Sequence, residues 1–169
     1  NGKDYPYALR HDLIDQIKSL KKKFPDYESF KTADITKIFD EKTLNESDIL
    51  ITNTLETSIY INKEGFEFEK INIPSEVQFS PVYSINSHDF DGDGDEDVLL
   101  GGNLYDVKPE VGIYDASYGL YLENLGNLKF KYHKDGNGFF VKGEIRDLLI
   151  SDRNIFVSKN NDKMEVFKF

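Results

Sequence analysis

The chain has no cysteine, which removes disulfide frameworks, zinc knuckles and thiol nucleophiles from its repertoire. No apolar stretch approaches the roughly 18 residues of a membrane span. Basic residues are in deficit: Lys plus Arg total 21 against 31 Asp plus Glu, for a net charge of −10 and a pI near 4.8. A nucleic-acid backbone is repelled by such a field unless a local basic stripe compensates. The only basic run, Lys21–Lys23, is too short to make one, so nucleic acid is not an expected partner. Catalytic signatures are equally scarce. There is no G-x-S-x-G elbow, no H-E-x-x-H and no phosphate-cradling Gly loop ahead of a helix. Any two carboxylates could meet as a glycosidase pair, but no sequence feature selects them, and no catalytic residue is expected. The chain opens Asn-Gly-Lys, with neither Met nor a signal peptide. It reads as a piece of something longer.

What is present is ample for a core. Thirteen Phe and ten Tyr in 169 residues offset a mean hydropathy of −0.54, so global disorder is excluded. Residues 7–46 read as helical. Leu9, Leu13, Ile17, Leu20 and Phe24 recur at helical spacing as one stripe. Asp12 and Asp15 sit early and three lysines late, matching the helix dipole, and Pro25 stops the run. A second short helix is expected after Thr32, burying Ile35, Ile38 and Phe39.

From about residue 48 short β runs take over, punctuated by Gly, Asn and Asp. Ile59-Tyr60-Ile61, a turn at Glu64-Gly65 and the alternating Phe66-Glu67-Phe68-Glu69 predict a hairpin whose second strand is half-buried. The phrase recurs as Leu120-Tyr121-Leu122, a turn at Gly126-Asn127 and Leu128-Lys129-Phe130-Lys131. A second repeat runs in the same order. His88-Asp89, a loop and Val98–Asn103 are echoed by Ser151-Asp152, a shorter loop and Ile155–Asn160, at offsets of 63 and 57 residues. Repetition at this scale, with several strands per unit, is the pattern of propeller blades or a related β array.

The chemistry concentrates in Asp89-Phe90-Asp91-Gly92-Asp93-Gly94-Asp95-Glu96-Asp97. Carboxylates at positions 1, 3, 5 and 9, with Gly at 6, can converge the six to eight oxygens that Ca²⁺ takes at about 2.3–2.6 Å. Side-chain ligands are assigned to Asp89, Asp91, Asp93 and Asp97, and a backbone carbonyl to Asp95. Mg²⁺ fits less well, because it keeps several waters. An EF-hand is disfavoured: its twelfth position, a bidentate Glu, is here Leu100, and a strand follows instead of a helix. A merely acidic turn would carry repulsion at every neighbouring pair. At 152–154, only Asp152, Arg153 and Asn154 remain, too few for a site.

A strand, then D-x-D-G-D-G-x-x-D, then an aliphatic and a Tyr-rich strand resembles the FG-GAP or VCBS repeat of integrin-α-like β-propellers. The wider text is similar to large bacterial VCBS-repeat proteins related to those carrying the ASPIC/UnbV module, common in Bacteroidota. Asp4–Pro6, Thr54–Thr57, Gln78–Tyr83, Gly101–Tyr105, Pro109–Gly119 and Gly143–Leu148 carry that closer match. One departure is Ile113, where the family pattern leads to Arg, so a contact through that Arg is not carried over. The resemblance implies a mainly β fold, a partial β-propeller with an N-terminal helical insertion at 1–46. Propeller blades would occupy 47–169, as a partial blade at 47–73, a full blade at 82–133 and a terminal partial blade at 139–169. It further implies an extracellular or cell-surface, calcium-stabilised binding or scaffold module, partnered by the remaining blades of its parent chain. A surface protein or glycan would be its ligand. A lectin-like or carbohydrate-active propeller is the alternative.

Tyr105, Asp106, Glu110, Tyr114, Asp115 and Tyr118 crowd one segment. Tyrosines beside carboxylates can stack on and hydrogen-bond a sugar ring. They equally satisfy the backbone of a long ordered loop, and the shaping Pro and Gly nearby favour that second reading. His88 abuts the acidic loop, but imidazole is a poor Ca²⁺ ligand, so packing or a hydrogen bond is expected of it.

Overall fold

The computed structural model describes residues 2–169. The chain divides into two compact units, Asn1–Asn53 and Thr54–Phe169.

The first unit holds five short helices: α1 (Arg10–Gln16), α2 (Leu20–Lys23), α3 (Tyr27–Phe30), α4 (Ile35–Ile38) and α5 (Glu41–Asn45). The stripe from Leu9 to Phe24 predicts one continuous helix, and the structure breaks it. Ile17 leaves helical geometry at φ −121° and ψ 83°, and the helix resumes at Leu20. Helices this short are marginal alone, so packing decides where they stop. The break lets Ile14, Leu20 and Phe24 meet Ala33 and Ile38 in one small core, with Leu13, Ile17, Phe30 and Phe39 packed against it. Leu9 stays 40% exposed, off that core. Three aspartates cap the later helices. Asp26, Asp34 and Asp40 each accept the backbone N–H three residues on, at 2.8, 3.0 and 2.8 Å. The helix expected after Thr32 is α4, with Ile38 buried and Ile35 and Phe39 half-buried.

The second unit is mainly β, with nine strands in three antiparallel sheets among the described residues. Strands β1 (Ile59–Glu64) and β2 (Glu67–Ile71) form a hairpin closed over Gly65, whose φ of 61° suits glycine. The half-buried alternation expected of Phe66–Glu69 is absent: Phe66 is 98% and Phe68 59% exposed. The strand forms, but a two-stranded sheet offers its side chains no second layer. Strands β3 (Val82–His88), β4 (Asp97–Gly102), β5 (Leu120–Asn124) and β6 (Phe130–Tyr132) make a four-stranded meander in chain order. Strands β7 (Ile145–Ser151), β8 (Asn154–Lys159) and β9 (Glu165–Lys168) make the third sheet.

One internal repeat is reproduced in register. Ser84, Ile85 and His88 pair with Gly101, Leu100 and Asp97; Asp147, Leu148 and Ser151 pair with Ser158, Val157 and Asn154. The offsets of 63 and 57 residues superpose these pairings, including the bulge after Val82 and its counterpart after Ile145. The other repeat is looser. Ile61 pairs with Glu69 in the first hairpin, but Leu122 pairs with Tyr132 in the β5–β6 hairpin, a slip of one residue against the sequence match.

Alternation sends the two faces of the four-stranded sheet to different cores. Leu99 and Tyr121 join Phe139, Val141, Ile145, Leu148, Ile155 and Val157, which ties this sheet to the third. Leu100, Leu120 and Leu122 pack with Val77 from the turn Ser75–Gln78. Polar links stitch β3 to β7: Ser84 Oγ accepts the Leu148 N–H at 3.0 Å, and Asn86 Nδ2 donates to Leu148 O at 2.7 Å. Gly101 permits this approach, since a Cβ there would lie 2.4 Å from Ile145 Cγ2. No helix is long and apolar enough to cross a membrane among the described residues.

Candidate functional site

The acidic loop joins β3 to β4. Its even-numbered Phe90 turns inward, edge-on to His88, Tyr121 and Phe169 with centroids 5.3, 5.8 and 4.9 Å away. His88 also packs edge-on against Phe169 at 5.0 Å, so it serves packing as expected. With Phe90 anchored, Asp89, Asp91 and Asp93 project together, each offering a carboxylate oxygen within 4.8 Å of the others. Loop amides hold them. Asp89 Oδ1 accepts from Gly92 and Asp93 N–H at 2.7 and 3.1 Å, and Asp89 Oδ2 from Gly94 N–H at 3.1 Å. Asp91 Oδ1 accepts from Asp93 N–H and Asp93 Oδ1 from Asp95 N–H, at 3.1 and 2.9 Å. Gly92 and Gly94 supply the φ of 82° and 97° that this winding demands.

These residues fit a hard cation: the donors are all oxygen, and Asp91 and Asp93 each keep a second carboxylate oxygen outside the loop's amide bonds. The electrostatics match that reading. The Asp93 amide favours the ionised form of Asp91, yet desolvation and the charges of Asp93, Asp97 and Asp89 outweigh it and raise its pKa. A cation at the triad would relieve that repulsion.

Neither of the other two assigned residues adds its carboxylate to the triad. Asp97 is fully buried. Its Oδ1 accepts Asn124 N–H at 2.8 Å; its Oδ2 accepts Tyr121 O–H at 2.7 Å and Phe90 N–H at 3.2 Å. Burial first, then the bond to Asp97, pushes the Tyr121 phenol far above its ordinary pKa, so it stays a donor. Asp95 Oδ2 lies beside Gly126 in the β5–β6 turn, 3.5 Å from where a Cβ would stand. At the matching position of the third sheet, Asp152 (φ 53°) and Arg153 form a tight turn, and no carboxylate cluster is found there among the described residues.

The tyrosine-rich segment between β4 and β5 is closed at its base by a bridge between Leu104 and Tyr114, with N–H···O distances of 2.9 and 2.8 Å. This divides the six candidate residues. Tyr105, Asp115 and Tyr118 line one cleft with Asn103, Ser117, Lys142 and Gly143. Tyr114 lines a different hollow, with Leu55, Phe79 and Pro81. Asp106 and Glu110 lie on the exposed excursion beyond the bridge.

Sequence reasoning missed the frame behind that cleft. Asn103 is buried at φ 87°. Its side chain accepts from Ser80 O–H and Ser117 N–H (2.7 and 3.1 Å) and donates to Ser117 O and Gly143 O (2.6 and 2.9 Å). Glu144, also buried, accepts from Tyr105 N–H, Arg146 and Asn160 at 2.7, 2.7 and 2.9 Å. The Tyr105 amide first, then Asn160 and Arg146, hold its carboxyl below the usual range despite burial. The signals are the Gly-Gly-Asn and Gly-Glu-Ile-Arg phrases, legible as text but not as partners. Comparison with protein-family models, curated proteins and solved structures finds no match to this chain.

Proposed function

We propose that this chain is a calcium-stabilised module of β-propeller type, serving as a binding or scaffold part of an extracellular or cell-surface protein. The observation that carries this reading is the meeting of Asp89, Asp91 and Asp93 on a loop wound by its own amides. Those three would supply side-chain oxygens and Asp95 its backbone carbonyl. Asp97 would contribute through the one Oδ1 lone pair that its three donors leave over. The cation would neutralise the loop and fix the β3–β4 connection; nothing here requires it to act on a substrate. The resemblance to FG-GAP and VCBS repeats supports the propeller part of the reading. So does the order of the sheets: a four-stranded meander and then a sheet whose first hairpin repeats its register. On this reading β1–β2 belong to one blade, β3–β6 to the next and β7–β9 to a third, and the partners are the other blades of the ring.

Linkage sets the expected size of the effect. A cation that binds only the folded state stabilises it by RT ln(1 + [L]/Kd), about 2.7 kcal/mol at a hundredfold excess over Kd. The Tm of the β unit should therefore rise in calcium relative to chelator, and rise less in magnesium. Asp93→Ala should abolish the difference. Equal melting temperatures in calcium and chelator for the unaltered chain would refute the cation.

A further inference from the structure

We propose that the cleft lined by Tyr105, Asp115, Tyr118 and Lys142 binds a neutral saccharide, one pyranose ring at a time. Three observations lead there, none of which involves the acidic loop. The first is the frame. Asn103 clamps Ser80, Ser117 and Gly143 with four hydrogen bonds, and Glu144 fixes the Tyr105 backbone. Asn103 holds a left-handed backbone to do so, a conformation that costs energy and persists only where the surroundings enforce it. The walls are thus set before any ligand arrives, which lowers the entropic cost of binding.

The second observation is what the frame leaves over. Buried polar side-chain atoms all have partners among the described residues, but the groups at the rim do not use theirs up. The Asp115 carboxylate and the Lys142 ammonium line the cleft, and among the described residues neither makes a hydrogen bond or ion pair to another side chain. One free acceptor and one free donor across a small hollow match the alternating hydroxyls of a sugar, each of which both donates and accepts. A ligand with a net charge of either sign would be attracted by one of the two and opposed by the other, so net charge brings little gain here.

The third is the aromatic platform. Tyr118 stacks on Phe140 with ring centroids 4.7 Å apart and an 8° interplanar angle, yet the two remain 43% and 52% exposed. Of the two, Tyr118 lines the cleft, and a ring held in place by stacking on Phe140 beside polar groups is the combination that receives a pyranose on its free face. The phenol of Tyr105 is pushed up by burial and by Asp115, so it stays an O–H donor at neutral pH. The volume, about 150 Å³, lies well below the roughly 300–1,000 Å³ of drug-sized sites, which limits the occupant to a single ring.

The test is an amide NMR titration of the full chain with glucose, galactose, mannose, N-acetylglucosamine, fucose and xylose, each taken to tens of millimolar. At least one should produce saturable shifts centred on Tyr118, Lys142 and Gly143. Asp115→Asn and Lys142→Met should each weaken that affinity about tenfold, the loss of a charge-assisted hydrogen bond. Tyr118→Ala should remove it; if that variant loses its dispersed spectrum, the two rim variants decide alone. No saturable shift with any of the six sugars overturns the proposal. So do shifts that map elsewhere, or that survive both rim substitutions unchanged.

Discussion

Asp97 stands at the end of the acidic loop, fully buried, with both oxygens engaged by Phe90, Tyr121 and Asn124. Those donors come from the loop itself and from β5, so one carboxylate ties the start of the loop to the middle of the sheet. A hydrogen bond to a charged group is worth about 1.5–3 kcal/mol, and more is lost when a buried partner is left short of donors. Tyr121→Phe keeps the ring against Phe90 and removes only the hydroxyl. It should therefore cost about 2 kcal/mol in urea unfolding, measured in chelator so that cation binding does not enter. A loss under about 0.5 kcal/mol would mean the bond is idle. The residue pattern announces that position 97 matters but assigns it to the cation alone. Its three protein donors are invisible there, because they depend on β5 lying beside β4.

At the level of elements, the β half is easier to read than the helical half. A hairpin repeats with its own register, so constant offsets along the chain become constant pairings, as Ser84–Gly101 and Asp147–Ser158 show. The helical stripe from Leu9 to Phe24 reads as one helix. Its break at Ile17 is decided by Ala33 and Ile38, which no local window contains. Phe66 and Phe68 mislead for the reverse reason: alternation signals a buried face only if something covers it. Electrostatics at one short helix gives a test. Asp34 caps α4, and its carboxyl is held at about 2, from an ordinary value of 3.8, by the Thr36 hydroxyl first and then by Lys3 and the Lys37 amide. A depressed folded pKa stabilises above the unfolded value and loses that contribution as pH falls through the folded one. The helical unit should thus lose stability as pH drops from about 4 to about 2. Asp34→Asn should be less stable at neutral pH and show a shallower acid limb. Helical circular dichroism measured against pH for both proteins would reveal it, and parallel acid limbs would exclude Asp34 as a source.

For the whole molecule, the division at Asn53 and Thr54 separates two cores of unequal size. The helical unit buries Ile14, Leu20, Phe24, Ala33 and Ile38 and little else, whereas the β unit has two clusters and stitched sheets. Small units bury a smaller share of their surface and are correspondingly marginal. Between them lies a stretch without regular structure in which Ile49, Leu50, Ile51 and Leu55 are 74–94% exposed. A chain built this way should unfold in two steps, the helical signal first. The acidic triad belongs wholly to the β unit, so the proposed cation would act through linkage on that transition alone. In a calorimetric scan, chelator should lower the upper transition and leave the lower one in place. Leu122→Ala, at a fully buried position of the β unit, should move the same transition by about 2–5 kcal/mol without touching the first. If both transitions move together in chelator, or only one is seen, the units unfold as one body and the cation stabilises the whole chain. If only the lower one moves, the cation is held by the helical unit, and the triad on the β3–β4 loop is an acidic turn.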